Sequence, residues 1–238
     1  MRAFSDIAPD ELARQFAAWG FKPSHAGRLL QSYYAHGGEV AWPEVKAPRA
    51  LRERLDAEAA PAGSRVVVRR VAEDGTVKLL LRLPDERTVE SVLMPADRSD
   101  RAAGCLSSQV GCALACDFCA TAQSGFARNL SAGEMVEQFL QLRREAQGLG
   151  RRLQTVVFMG MGEPLLNLEN VLVAIRRMAE GALGGLGWRQ ITVSTVGIVP
   201  GIDALAAAAL NVNLAVSLHA PDDATRARLI PSGRRFGV

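Results

Sequence analysis

The chain has 238 residues, enough for one large domain or two modest ones, and its 48% hydrophobic and 22% charged content is that of a soluble globular protein. Lysine and arginine number 28 against 25 aspartate and glutamate, a net +3 too weak by itself to point to nucleic acid. The first twenty residues carry Asp6, Asp10 and Glu11 without a continuous apolar core, and Asn211 and Asn213 break the most apolar late run, so neither a signal peptide nor a membrane span is expected and the location is read as cytoplasmic.

In chain order, Pro9 is placed to open a first helix with Leu12, Phe16 and Trp19 on its apolar face and Gly20 at its end. Ser24 is expected to cap a second helix that turns Leu29, Leu30, Tyr33 and Tyr34 inward and stops at Gly37-Gly38. A third is expected from Pro48 to Ala59. Three strand-like runs follow, VVVRRV at 66–71, KLLLRL at 78–83 and TVESVLM at 88–94, with a turn at Asp74-Gly75 between the first two. This reads as a small, mainly helical accessory domain with a short β-meander over residues 1–87, ahead of a core over 88–238.

From Cys105 the pattern changes. CLSSQV is expected as a short strand leading into a cysteine-rich loop. Ser131 and Glu134 form a capping box for a helix to Gln147 that buries Met135, Phe139 and Leu142. The strands QTVVFM at 154–159, ITVST at 191–195 and VNLAVS at 212–217 are separated by a helix over 168–180 and another at IDALAAAAL. Short apolar strands alternating with helices predict an α/β fold of parallel βαβ units. Ligands of such folds sit at the carboxyl ends of the strands. The cysteine loop, Gly160-Met161-Gly162-Glu163-Pro164, Ser194 to Gly197 and Ser217-Leu218-His219 are therefore expected on one rim.

All four cysteines, Cys105, Cys112, Cys116 and Cys119, fall in one fifteen-residue stretch, the last three spaced C-x3-C-x2-C with Phe118 before the final one. Three thiolates can hold three irons of a [4Fe–4S] cube, whose usual complement is four cysteines. The fourth iron is then open to a ligand, as reductive cleavage of S-adenosylmethionine (SAM) requires. A structural zinc site would prefer two C-x2-C knuckles, and one is present. A disulfide framework needs a secreted setting. Glycines at 160 and 162 allow close backbone approach to a ligand and Glu163 offers an acceptor for an ammonium such as that of SAM, but the same residues suit an ordinary strand-to-helix turn. Ser194 and Ser217 can bond ribose or carboxylate groups or simply satisfy strand ends, and a lone histidine such as His219 is more often structural. Arginine clusters at 65, 69 and 70, at 143, 144, 151 and 152, and at 226, 228, 234 and 235 suit either phosphates or a solvated helix face.

The cysteine spacing resembles the radical SAM signature. The runs CLSSQVGCALACDFCATAQSGFARNLSAGE, VVFMGMGEPLLNLENV, ITVSTVGIVPGIDAL and LAVSLHAPDD closely resemble the bacterial radical SAM dual-specificity 23S rRNA/tRNA adenine C2-methyltransferases, to which the antibiotic-resistance C8-methyltransferases are related. The likeness covers residue 88 to the end, and the helical front resembles the family's RNA-binding domain more loosely. It implies a partial (βα) radical SAM barrel. Carried over position by position, it implies Cys112, Cys116 and Cys119 as cluster ligands and Gly162, Glu163, Ser194, Ser217, Leu218 and His219 as SAM contacts. It also implies Glu90, in VESVLMP, as proton acceptor and Cys105 as the cysteine that resolves a covalent protein–RNA intermediate. The sequence departs from the family at STVG, 194–197, where Val196 replaces a serine and should lose a polar contact, and at IPSGRRF, 230–236, where P-x-N is usual.

In the implied reaction a cysteine near the family's C-terminus first accepts a methyl group. SAM cleavage turns that methyl into a carbon radical, which adds to the adenine carbon. A base then removes the ring proton, and Cys105 releases the product as a disulfide forms. The implied partners are 23S rRNA, tRNA and an electron donor such as flavodoxin, acting on a monomer with no membrane association. No cysteine follows Cys119 and about four of the family's six strands can be counted, so the chain reads as C-terminally truncated, without the methyl carrier and inactive alone. The rival readings are a C8-methyltransferase, a radical SAM enzyme acting on a peptide or small metabolite, and a non-catalytic iron–sulfur RNA-binding remnant.

Overall fold

The computed structural model describes residues 3–58, 63–231 and 235–238. Four helices lead: α1 (Pro9–Ala18), α2 (Ser24–Ala35), α3 (Trp42–Val45) and α4 (Arg49–Glu58). Leu12 and Phe16 of α1 share a small core with Leu29 and Leu30 of α2 and Leu51 and Leu55 of α4. Pro9 opens α1 as expected, in a first-turn position where its missing N–H removes no helical bond. Ser24 does not cap α2: it is the first helical residue, and Pro23 before it offers no side-chain acceptor. The short α3 has no counterpart in the sequence expectations, and the expected end of the third helix at Ala59 lies outside the described residues.

Strands β1 (Arg65–Val71), β2 (Val77–Arg82), β3 (Thr88–Pro95) and β4 (Arg101–Cys105) follow as an antiparallel series. Alternation decides the faces: Val77, Leu79 and Leu81 of β2 and Val89 and Leu93 of β3 are buried, while Lys78 and Glu90 lie on the open face. The expected strand CLSSQV divides in two, because β4 ends at Cys105 and a new strand, β5 (Gln109–Gly111), starts beyond a three-residue link. β5 pairs with β6 (Phe126–Asn129) in a hairpin whose long loop holds Cys112, Cys116 and Cys119 and the single turn α5 (Ala120–Gln123).

Three βα steps complete the chain: α6 (Ala132–Gly148), β7 (Arg152–Phe158), α7 (Leu168–Ala179), β8 (Ile191–Thr195), α8 (Val199–Ala207), β9 (Asn213–Val216) and α9 (Asp223–Leu229). β4, β7, β8 and β9 are mutually parallel and join the antiparallel strands in one seven-stranded sheet, ordered β1-β2-β3-β4-β7-β8-β9. The fold is thus the expected α/β class, and the sheet does not close into a barrel among the described residues. The boundary placed at residue 87 falls between two paired strands of this sheet, β2 and β3. The capping box is present: Glu134 N–H donates to Ser131 Oγ at 3.1 Å and Ser131 N–H to Glu134 Oε2 at 2.9 Å. It starts the helix whose Met135, Phe139 and Leu142 are fully buried in the main core. Among the described residues no helix is long and apolar enough to cross a membrane.

The front of the chain is pinned to α6 by polar contacts. Asp6 accepts Gly133 N–H at 2.7 Å and Ser131 O–H at 3.0 Å, a carboxylate at a helix N-terminus. Ser5 O–H and Gly63 N–H both donate to Glu137 Oε1, while the buried Oε2 has no hydrogen-bond partner among the described residues. Burial pushes the Glu137 carboxyl above its usual range, against the pull of its hydrogen bonds. A carboxyl with a raised folded-state pKa contributes stability below its unfolded pKa and loses it as pH rises through the folded one. Glu137→Gln keeps an acceptor for Ser5 and cannot ionise. Its melting temperature should therefore gain on the wild type as pH rises from the acid range to neutrality, which parallel thermal melts will check.

Candidate functional site

The carboxyl ends of β4, β7, β8 and β9 point the same way, so the loops that leave them form one rim. Between that rim and the cysteine loop lies a cleft of about 250 Å³. It is lined by Cys112, Cys116, Cys119, Gly162, Glu163, Ser194, Ser217 and His219, together with Phe118 and Thr195 among others. A larger, more open hollow of about 690 Å³ in the helical front, beside Lys22, His25, Arg28 and Lys46, contains no thiol or carboxylate. Chemistry therefore selects the smaller one.

The hairpin and α9 fix the cysteine loop through its backbone. Cys112 N–H donates to the Gly125 carbonyl at 2.9 Å and Asp117 N–H to that of Leu229 at 2.9 Å. Burial pushes the Cys112 and Cys116 thiols up, and negative charge on neighbouring cysteines or Glu163 adds to the shift. Three thiolates crowded beside a carboxylate would need cationic compensation, which iron would supply. Among the described residues no three His, Cys, Asp or Glu side chains converge on a single-ion site. A [4Fe–4S] cube takes each thiolate on a different iron and needs no such convergence. The donor set fits the cube.

Glu163 is 2% exposed, yet both carboxylate oxygens are engaged: Oε1 accepts Leu165 N–H at 3.1 Å and Oε2 accepts Val196 N–H at 3.0 Å. Its own N–H donates to Gln109 Oε1 at 2.9 Å, so it ties β5 to the loops after β7 and β8. Burial pushes its carboxyl up. The glycines around it serve the chain itself. A Cβ on Gly160 would sit 2.8 Å from the Leu106 carbonyl, and one on Gly162, at φ +94°, would sit 2.5 Å from Gln109 Cβ. They let this loop pack against residues 106–109, and both glycines also line the cleft.

On the remaining rim, His219 has a left-handed φ of +62°, and its ring lies 4.9 Å from that of Phe118 inside the cysteine motif. Burial, then the nearby Arg226 charge, holds its imidazole below the usual range. Leu218 does not line the cleft; its side chain is exposed and its carbonyl faces Arg226. The substitution at Val196 spares the contact that matters here, because the backbone N–H reaches Glu163. The second departure, at 230–236, includes residues 232–234, outside the described set.

Glu90 and Cys105 are not among the residues lining the cleft. They share the open face of the sheet: Cys105 pairs across from Val92, two residues beyond Glu90. The Glu90 carboxylate lies 2.9 Å from Lys78 Nζ. Cys105 is half-buried, and that burial pushes its thiol up.

Sequence reasoning assigned no role to Gln109 or Gln138, held Thr195 only within the rim run 194–197, and offered Arg226 only as one of an arginine cluster. Gln138, fully buried on α6, accepts from Ser91 O–H and Ser107 N–H, both at 2.8 Å, and so ties β3 to the segment after β4. In two arginine clusters some members are engaged by the protein itself, while Arg144, Arg152, Arg228 and Arg235 stay exposed. Arg143 donates to the Tyr34 and Gly184 carbonyls, Arg144 pairs with Glu39, and Arg226 is buried, while Arg234 lies outside the described residues.

Residues 106–235 match the family model of the radical SAM superfamily. A probable dual-specificity RNA methyltransferase RlmN 1 of Opitutus terrae is 67% identical over 99% of this chain and 66% of its own length. A probable dual-specificity RNA methyltransferase RlmN of Thermobifida fusca is 44% identical over 100% of this chain and 67% of its own. The crystal structure of a radical SAM methyltransferase from Sphaerobacter thermophilus superposes with a TM-score of 0.93 at 39% identity, over 100% of this chain and 70% of that one. The chain thus spans about two thirds of the length of these proteins. It belongs to the radical SAM superfamily and, within it, to the RlmN family of dual-specificity RNA methyltransferases.

Proposed function

We propose that this chain carries the cofactor-binding core of an enzyme that, as the full-length protein, methylates C2 of adenine in 23S rRNA and tRNA. What supports this reading above all is the meeting of three thiols, a buried carboxylate and two strand-end serines on one cleft. Cys112, Cys116 and Cys119 would hold the [4Fe–4S] cluster, and Gly162, Glu163, Ser194, Ser217, Leu218 and His219 would hold SAM. When bound, these cofactors supply radical chemistry at a carbon that offers no nucleophile. Glu163 suits the SAM ammonium, because a cation beside a buried carboxyl offsets the burial that pushes its pKa up. Leu218, with its side chain exposed and its carbonyl held by Arg226, would act through its backbone.

Glu90 would accept the adenine proton from the open face of the sheet. Cys105 would resolve the adduct: its sulfur attacks the sulfur of the methyl-carrying cysteine, an S–S bond forms, and the bond from that sulfur to the adenine-linked carbon breaks with its electron pair passing to that carbon. The carbon then takes up a proton to become the product methyl group. Burial disfavours the Cys105 thiolate, so the attack needs a base, and Glu90, once it has released the adenine proton, would stand on the same face to take the thiol proton. The helical front, within the accessory portion up to residue 87, would bind RNA. A flavodoxin-type donor would supply electrons to a cytoplasmic monomer.

The test is anaerobic incubation of the full-length protein with RNA, followed by mass spectrometry of nucleosides and of protein. The wild type should give 2-methyladenosine, and Cys105→Ser should accumulate a covalent protein–RNA adduct. A Cys105→Ser variant that turns over normally would refute the assigned role.

A further inference from the structure

Arg226 is 3% exposed and is the one buried residue of α9. No carboxylate among the described residues pairs with it. Its guanidinium spends its donors on carbonyls instead: Nη1 on Ser217 (3.2 Å) and Leu218, Nη2 on Val196, and Nε on Phe236 (3.5 Å). Burying an unpaired guanidinium is costly unless its N–H groups are satisfied, and here strand-end carbonyls satisfy them. The loops after β8 and β9 are thereby bridged by one planar fork, whose five donors have fixed directions that a lysine cannot reproduce.

Two neighbours fit around this bridge. Gly197, at φ +103°, leaves room for the fork, since a Cβ there would lie 3.3 Å from Nη2. His219, in its left-handed conformation, directly follows the Leu218 carbonyl that Arg226 holds and rests its ring on Phe118 of the cysteine motif. One turn further along, the Leu229 carbonyl accepts the Asp117 N–H of the same motif. A single short helix thus touches both halves of the cleft.

We infer that Arg226 is a positioning residue for the cofactor cleft: α9 acts as a latch that sets Val196, Ser217 and His219 against the cysteine loop and so fixes the shape offered to SAM. This rests on the reading of the cleft as the SAM site.

The test compares wild type, Arg226→Met and Arg226→Lys by two readouts. The first is amide hydrogen exchange in the cluster-free protein at Val196, Gly197 and Ser217, whose N–H groups are all hydrogen-bonded. The second is SAM titration, with iron content measured alongside, after anaerobic cluster reconstitution. Arg226→Met should speed exchange at both loops, leave α6 and iron content unchanged, and weaken SAM binding roughly tenfold, the loss of about one hydrogen bond to a charged group. Arg226→Lys should recover part of the affinity. If the methionine variant does not fold, the lysine variant decides, with changes of the same sign. Folded variants with wild-type exchange, or faster exchange with unaltered SAM affinity, would overturn the inference. A wild type that binds no SAM would instead refute the reading of the cleft, and the exchange data would still judge the latch.

Discussion

Cys116→Ala is expected to lose essentially all bound iron and the broad visible absorption of the reconstituted protein, while Cys105→Ala keeps both. Cys116 is 8% exposed and stands between Cys112 and Cys119 on the same cleft, so its loss leaves two thiols where a cube needs at least three. Cys105 ends β4 and is not among the residues lining the cleft. Iron assay and absorption spectra after anaerobic reconstitution distinguish the two variants. Unchanged iron in Cys116→Ala would remove the basis for the cluster assignment.

Glu163 is the second position where a large effect is expected. Alanine there would strip the acceptors from Leu165 N–H and Val196 N–H, at about 1–3 kcal/mol for each buried donor left unpaired. Loss of SAM binding in Glu163→Ala would therefore mix disorder of two loops with loss of charge. Glu163→Gln keeps one acceptor oxygen, sets its NH2 against the other backbone N–H, and removes the ability to ionise, so it disturbs the two loops less than alanine does. We expect it to retain iron and to bind SAM at least roughly tenfold more weakly, as loss of a charged hydrogen bond implies.

Much of the fold was legible because it is written in local chemistry. Ser131 and Glu134 signal a helix start that depends on residues three apart, and ITVST matches β8 end to end. The rim was legible for the same reason, since strand-end loops converge in any parallel sheet. What escaped the sequence reading was long-range. CLSSQV looks like one strand, but Ser107 turns aside to bond the Glu90 carbonyl and accept Met161 N–H, which splits the run. Gly160 and Gly162 announce a close approach without saying to what, and the answer was the chain's own residues 106–109. Arg226 shares its composition with a solvated helix face, and only the fold shows that its carbonyl partners come from two separate loops. The meander ran on into the core because its edge strand could find a partner in β4, a pairing that no local pattern announces.

The cleft is assigned two cofactors that must touch, and electron paramagnetic resonance can observe that contact. The reconstituted protein should be reduced anaerobically and its spectrum recorded before and after addition of SAM, in wild type and in Glu163→Gln. The wild-type cluster signal should change shape when SAM is added, and the glutamine variant should need more SAM for the same change. A wild-type signal indifferent to saturating SAM would contradict the assignment of cluster and SAM to one cleft.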